Sequence, residues 1–180
     1  MAKFTETLSE ENIKFIQEQK MFFTGTAPTS GRVNISPKGM DTFRVIDEKT
    51  VAYLDLTGSG NETAGHINDN GRLTFMFCSY TQKPLILRLY GRGEVVLPIH
   101  SKWEKLASLF PQLPGARQLI IMHIDSIQSS CGFAVPFYEF QSERNVLADW
   151  AEKKGKSELE NYRLKNNLTT IDGKETGYST

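Results

Sequence analysis

The chain of 180 residues is short of several things, and each shortage closes off a class of protein. It has two cysteines, Cys78 and Cys131, too few for a disulfide framework. Its three histidines, His66, His100 and His123, fall in no spacing that assembles a zinc site. No Gly-x-Ser-x-Gly elbow is present, so nothing anchors a Ser/His/Asp nucleophile. Neither sign of charge is in excess, with 21 Lys and Arg against 21 Asp and Glu; a general nucleic-acid binder would be basic. No apolar run approaches the roughly 20 residues of a membrane span. The opening "MAKFTETLSEEN" lacks the apolar stretch of a signal peptide. The expectation is a cytoplasmic chain with reduced thiols and neither nucleic acid nor membrane as partner.

What is present is enough apolar residue, 39%, for one compact core. Ser9 reads as an N-cap, with Glu10 and Glu11 in the first turn, and predicts a helix over 9–20. Short β-type runs follow: "MFFTGTA", "RVNIS", "FRVI", "VAYLDL", "RLTFMFCSY", "LILRLYGRGEVV" and "RQLIIMHIDSIQ". Turn signals at 36–39, 47–50 and 81–84 separate them. Connections this short suit antiparallel neighbours. The fold class expected is therefore mainly β with flanking helices, an antiparallel meander or barrel.

Two helical insertions are predicted inside it, over 61–70 with Gly71 as its stop and over 101–110. Two short helices follow, separated by Gly155. The whole of 1–180 reads as one domain, with a core at about 21–135, helices at about 142–167 and a polar surface arm at 168–180.

One stretch asks for a ligand. In "YLDLTGSGNETAGHI" a strand runs through Gly58 and Gly60 into a helix start at Asn61. The dinucleotide fingerprint fails here, because Thr63 stands in the third glycine's place and no acid ends the next strand. Two readings stay open. The glycines shape a tight turn by taking positive φ, or the same turn gathers N–H groups around an anion at the helix N-terminus. Upstream, Arg32, Asn34 and Ser36 alternate with Val33 and Ile35 on one strand. They present a polar face, with Lys38 beyond it. Arg88 lies among leucines on a later strand, and needs either an acid such as Asp55 or Glu62 or an anionic ligand.

Taken together, "GRVNISPKGMDTFRV", "VAYLDLTGSGNETAGHINDNGRLTFMFC" and "LILRLYGRGEVV" resemble the pyridoxamine 5′-phosphate oxidase-like, FMN-binding split-barrel proteins. The resemblance spans roughly 21–129. The later "SSCGFAVPFYEFQSERNVLADWAEKKG" and "NNLTTIDG" resemble the C-terminal region of one uncharacterised branch. The resemblance implies an antiparallel split β-barrel that forms a homodimer, with FMN at the interface and a small-molecule redox substrate. It implies a flavin shell of Arg32, Val33, Asn34, Ser36 and Lys38 on the first strand. The turn adds Leu56, Thr57, Ser59, Gly60, Asn61 and Thr63, and Arg88 completes the set.

Two departures stand out. Where the family usually reads Ser-Arg-Lys before Ala, this chain has Asn61, Glu62 and Thr63, so a carboxylate replaces a cation beside the phosphate. After Arg163 no Arg or His remains to grip a substrate phosphate, so vitamin B6 oxidation is not carried over. The resemblance implies an FMN-dependent oxidoreductase without a named catalytic acid or base. The alternatives are a flavin carrier or sensor without turnover, or a split barrel for haem or F420.

Overall fold

The structure, a computed structural model, describes residues 2–178. Eight strands and four helices follow in the order β1 (Lys3–Thr5), α1 (Glu10–Glu18), β2 (Phe22–Thr26), β3 (Asn34–Lys38), β4 (Phe43–Val45), β5 (Thr50–Leu56), α2 (Glu62–Asn70), β6 (Arg72–Cys78), β7 (Ile86–Val96), α3 (Trp103–Ala107), β8 (Ala116–Ser130) and α4 (Val146–Asn166). Every strand pairing is antiparallel, and the sheet order is β3-β2-β6-β7-β8-β5-β4. Strand β8 is long enough to carry two partners along one edge. Its first half pairs β5 and its second half pairs the short β1, while β7 follows its other edge throughout.

The curl of the sheet encloses an aromatic core. Phe22, Tyr53, Phe75 and Phe77 are buried together, with Phe43 set edge-on against Phe75 and Phe77. Val51 and Tyr53 of β5 point into this core. Ala52 and Leu54 point the other way, into a second cluster with Phe110 and Leu119 that α3 covers. Strand β5 is thus buried on both faces, which is why it reads as a continuous apolar run.

The local signals act as the sequence suggested at most ends. Ser9 caps α1 in a reciprocal box with Asn12, and Gly71 ends α2 at φ 75° with its N–H on the Ile67 carbonyl. Gly155 breaks α4 at φ 70°, ψ 171°. Helix α3 is shorter than its predicted span, and β1 was not anticipated.

The expected turn at 36–39 is corrected. Ser36, Pro37 and Lys38 continue β3, paired with Thr24, Phe23 and Phe22. β3 lies at the edge of the sheet, where a proline's missing N–H leaves no ladder bond unmade. The chain turns afterwards, where Met40 and Asp41 take φ 61° and 54°. Residues 168–178 do run along the surface as a polar arm, and the arm is anchored. Thr169 bridges Glu175, and Thr170 and Thr176 are buried against α2.

Candidate functional site

The site forms where β5 runs out into α2. Asp55 follows Val51 and Tyr53 on the inner face of β5, so strand alternation alone carries a carboxylate into the mouth of the barrel. Opposite it the register slips: Asp55 pairs Gln118, whereas Leu56 pairs Ala116. The extra residue of this bulge is Arg117. A bulge re-aims a side chain that strict alternation would turn away. Arg117 Nε and Nη2 donate to Asp55 Oδ2 at 3.2 and 2.5 Å, and Gln118 Nε2 donates to the same oxygen at 2.9 Å. Lys38 Nζ, at the end of β3, donates to Asp55 Oδ1 at 2.9 Å.

Burial would raise the pKa of Asp55. The charges of Arg117 and then Lys38, with their hydrogen bonds, outweigh that and hold it far below the ordinary carboxylate range. Asp55 is therefore an ionised structural counter-ion and not a proton donor.

Around this ion cluster opens a cavity of about 780 Å3. One wall is the polar face of β3, with Arg32 and Val33 at its approach and Asn34, Ser36 and Lys38 along it. A second wall is the turn from Leu56 through Ser59 and Gly60 to Asn61, Glu62 and Thr63. The third comes from the C-terminal arm, as Asn166, Thr169, Thr170 and Ile171. Ten of the twelve residues expected to bind a ligand are thereby brought together, in the order Arg32, Val33, Asn34, Ser36, Lys38, Leu56, Ser59, Gly60, Asn61, Thr63.

Two are not. Thr57 faces away: its hydroxyl donates to the Gly115 carbonyl at 2.8 Å and accepts from Arg163 Nε at 2.8 Å. It lies beside the cavity in sequence, but alternation turns its side chain to the other face. Arg88 sits on the outer face of the sheet opposite Met76 and Gln128, with Nη1 on Ser130 Oγ at 3.4 Å. Asp55, one of the acids offered as a partner for Arg88, is paired instead with Arg117 and Lys38.

The turn itself differs from its expected geometry. Gly58 and Gly60 do not take positive φ; among the described residues the left-handed glycines lie elsewhere. A Cβ at Gly58 would meet open space. The backbone nevertheless offers donors. From Gly58 to Ala64 no N–H finds an acceptor among the described residues, and Asn61 makes no side-chain cap. The Asn61 amide is committed elsewhere: its Oδ1 accepts from Gln118 at 2.7 Å and its Nδ2 donates to the Asn167 carbonyl at 3.4 Å. An uncapped helix start facing a cavity is a ready anion site.

The arm closes this end. Asn167, fully buried, donates to the Gly58 carbonyl at 3.2 Å and accepts from Arg117 at 2.8 Å. Ile171 N–H donates to both Glu62 oxygens, at 3.1 and 3.2 Å. Arg32 is paired to Asp172. Glu62 is thus turned onto the arm, though it still lines the cavity.

Comparison with known proteins places this geometry. Residues 8–131, over half of the chain, match the family described as "Pyridoxamine 5'-phosphate oxidase". The chain belongs to the pyridoxamine 5′-phosphate oxidase family. It is 36% identical over 192 residues to the pyridoxamine 5′-phosphate oxidase family protein ustO of Aspergillus flavus, covering 96% of this chain and 77% of that protein. Among solved structures, HupZ of Group A Streptococcus aligns with a TM-score of 0.55 at 24% identity, over 67% of this chain and 91% of that one. A Lactobacillus delbrueckii protein described as a candidate pyridoxamine 5′-phosphate oxidase aligns at 0.56 and 20%, over 68% and 94%. At such identities the structural likeness is one of fold, and the fold is the split barrel of this family.

Proposed function

We propose that the protein is an FMN-binding oxidoreductase of this family that works as a homodimer on a small redox substrate. The observation that carries the reading is the uncapped start of α2: its first N–H groups find no acceptor among the described residues, and its residues line a cavity walled by a polar strand.

The residues present fit a phosphate ester. Backbone N–H groups of Ser59, Gly60 and Asn61 and the hydroxyls of Ser59 and Thr63 would hold it. Three lining cations, Arg32, Lys38 and Arg117, face two lining carboxylates, Asp55 and Glu62. A phosphomonoester carries about 1.5 to 2 negative charges at pH 7. With so small a cationic excess, the helix dipole and the N–H groups carry much of the task. Asn34 and Ser36, in contact with each other at 3.3 Å, offer the amide and hydroxyl that would orient the polar edge of a ring. Bound flavin would supply the hydride chemistry; the chain binds, orients and excludes water.

The dimer is supported by the outward face of β3, where Val33 and Ile35 stand 70% and 68% exposed on the strand that lines the cavity.

The test is the absorbance spectrum of the purified protein after incubation with FMN and desalting. Retained flavin that NADH or NADPH bleaches without oxygen is the expected result. Retained flavin that neither reduces favours a carrier or sensor. A protein that rejects FMN refutes the reading.

A further inference from the structure

Beneath the anion turn lies a buried histidine that the site as described does not use. His66 is fully buried one turn into α2. Its Nδ1 lies 2.9 Å from Thr26 Oγ1 on β2. Among the described residues its Nε2 has no hydrogen-bond partner, and it lies 4.0 Å from the Glu62 carboxylate, one turn closer to the cavity. A buried polar atom left unpaired is costly, and this one faces Glu62, a carboxylate that lines the cavity.

The chemistry of the ring ties these groups together. A neutral imidazole donates from one nitrogen and accepts at the other. If the Thr26 hydroxyl donates to Nδ1, the proton is on Nε2 and faces Glu62. If Nδ1–H donates to Thr26, a bare lone pair faces the carboxylate. The first arrangement already suits both nitrogens of the neutral ring; a second proton, with Nδ1–H accepted by Thr26 Oγ1 and Nε2–H still aimed at Glu62, adds a positive charge that offsets the carboxylate. Among the described residues, Asp172 on the arm is a further charged group near the ring. Its pKa is lowered first by accepting the Arg32 N–H and also by the neighbouring His66. Around this part of α2 the Thr170 methyl lies beside Gly65 and Ile67 beside Gly93, and the Ile171 N–H donates to Glu62. Arg72 and Arg92 reach Asn70, at the far end of the helix.

We propose that His66 is the positioning residue that lets this site hold a phosphate ester despite Glu62: anion binding draws one proton onto the His66–Glu62 pair. The pair then changes from net −1 to neutral, and the carboxylate is compensated from below and not by a cation beside the ligand. The proton comes from solvent, and no bond other than to hydrogen is made or broken. This rests on the phosphate-ester reading above. By linkage, affinity is greatest at low pH and falls as pH rises, by up to about tenfold per pH unit for one linked proton.

The experiment is calorimetric titration of FMN into the 180-residue chain between pH 7.5 and 8.5, where the ligand phosphate, with its second pKa about 6, is fully ionised. Two buffers of different ionisation enthalpy report proton uptake directly. Wild type should take up about one proton per FMN and show affinity falling by up to about tenfold across the range. His66→Gln, which keeps an amide for Thr26, should bind with uptake near zero and a flat pH profile. Glu62→Gln should also lose the uptake while binding more tightly, and it serves if His66→Gln fails to fold. A wild type that binds FMN without uptake, or uptake that survives in both variants, overturns the proposal and leaves the FMN reading standing. Failure of wild type to bind FMN at any pH overturns both.

Discussion

Replacing Asp55 by Asn tests whether the ion cluster is the keystone of the cavity. Asp55 is 2% exposed and takes four donor contacts from Lys38, Arg117 and Gln118. The Asn carbonyl must sit at the Oδ2 position, where three of those donors converge. Its NH2 then faces the Lys38 ammonium, donor against donor. Lys38, whose side chain is a quarter exposed, can swing into the cavity. Arg117, at 2% exposure, cannot leave and stays charged without a counter-ion. Breaking a buried pair from one side costs about 3–5 kcal/mol, and the retained amide acceptor places this case near the lower figure.

At about 2–4 °C per kcal/mol for a chain of this size, the melting temperature should fall by about 6–12 °C. Thermal unfolding followed by circular dichroism at pH 7 measures it. The double variant Asp55→Asn/Arg117→Met should recover most of the loss, because no buried charge is then unpaired. A single variant within about 2 °C of wild type, or a double variant no better than the single, would refute the reasoning.

Acid should act through the same group. Its folded pKa is depressed, so the stability it contributes is present above the unfolded value of about 3.9 and disappears as pH falls below it. A melting-temperature series from pH 6 to pH 2 should therefore drop steeply below about pH 4 in wild type, and less so in Asp55→Asn. Thr57→Val should cost about 1–3 kcal/mol by orphaning Arg163 Nε, yet leave FMN affinity unchanged, since its hydroxyl points away from the cavity. Lys38→Ala should weaken FMN binding by roughly ten- to a hundredfold in a fluorescence titration, the loss of one charge-assisted hydrogen bond. Gly91→Ala should prevent folding, because its Cβ would overlap the His123 carbonyl across the β7–β8 bulge; a soluble variant with a wild-type melting curve would count against that.

Much of the barrel was legible because its signals are local. Ser9, Gly71 and Gly155 punctuate helices wherever they occur, and β5 announces burial on both faces by its apolar run. Pro37 misled for the opposite reason: whether it ends a strand depends on the strand's place in the sheet, which no local pattern records. The β3 polar face and the glycine turn were found because alternation and composition mark them.

Arg117 was missed because its direction is set by a bulge, and a bulge is a relation between two strands. A signal existed all the same. "RQLIIM" and "VAYLDL" each set a charge within an apolar strand, and a buried base requires a buried acid. Thr57 follows from its neighbourhood in sequence and Arg88 from its place among leucines, and pleating sends both elsewhere. The arm looked like a tail because many of its polar residues find their partners more than a hundred positions earlier, as Ile171 does on Glu62 and Asp172 on Arg32.

That distance has a kinetic meaning. Ile171 reaches back 109 residues to Glu62, and Asp172 reaches back 140 to Arg32. Contacts of such separation form after the hairpins they rest on, and few apolar groups secure them. Opening of 167–178 alone should be a local event of low free energy, leaving the barrel intact. Amide hydrogens of Thr170 and Thr176 should then exchange before those of β7 and β8. The third wall of the cavity is thus the part of the protein with its own, faster clock.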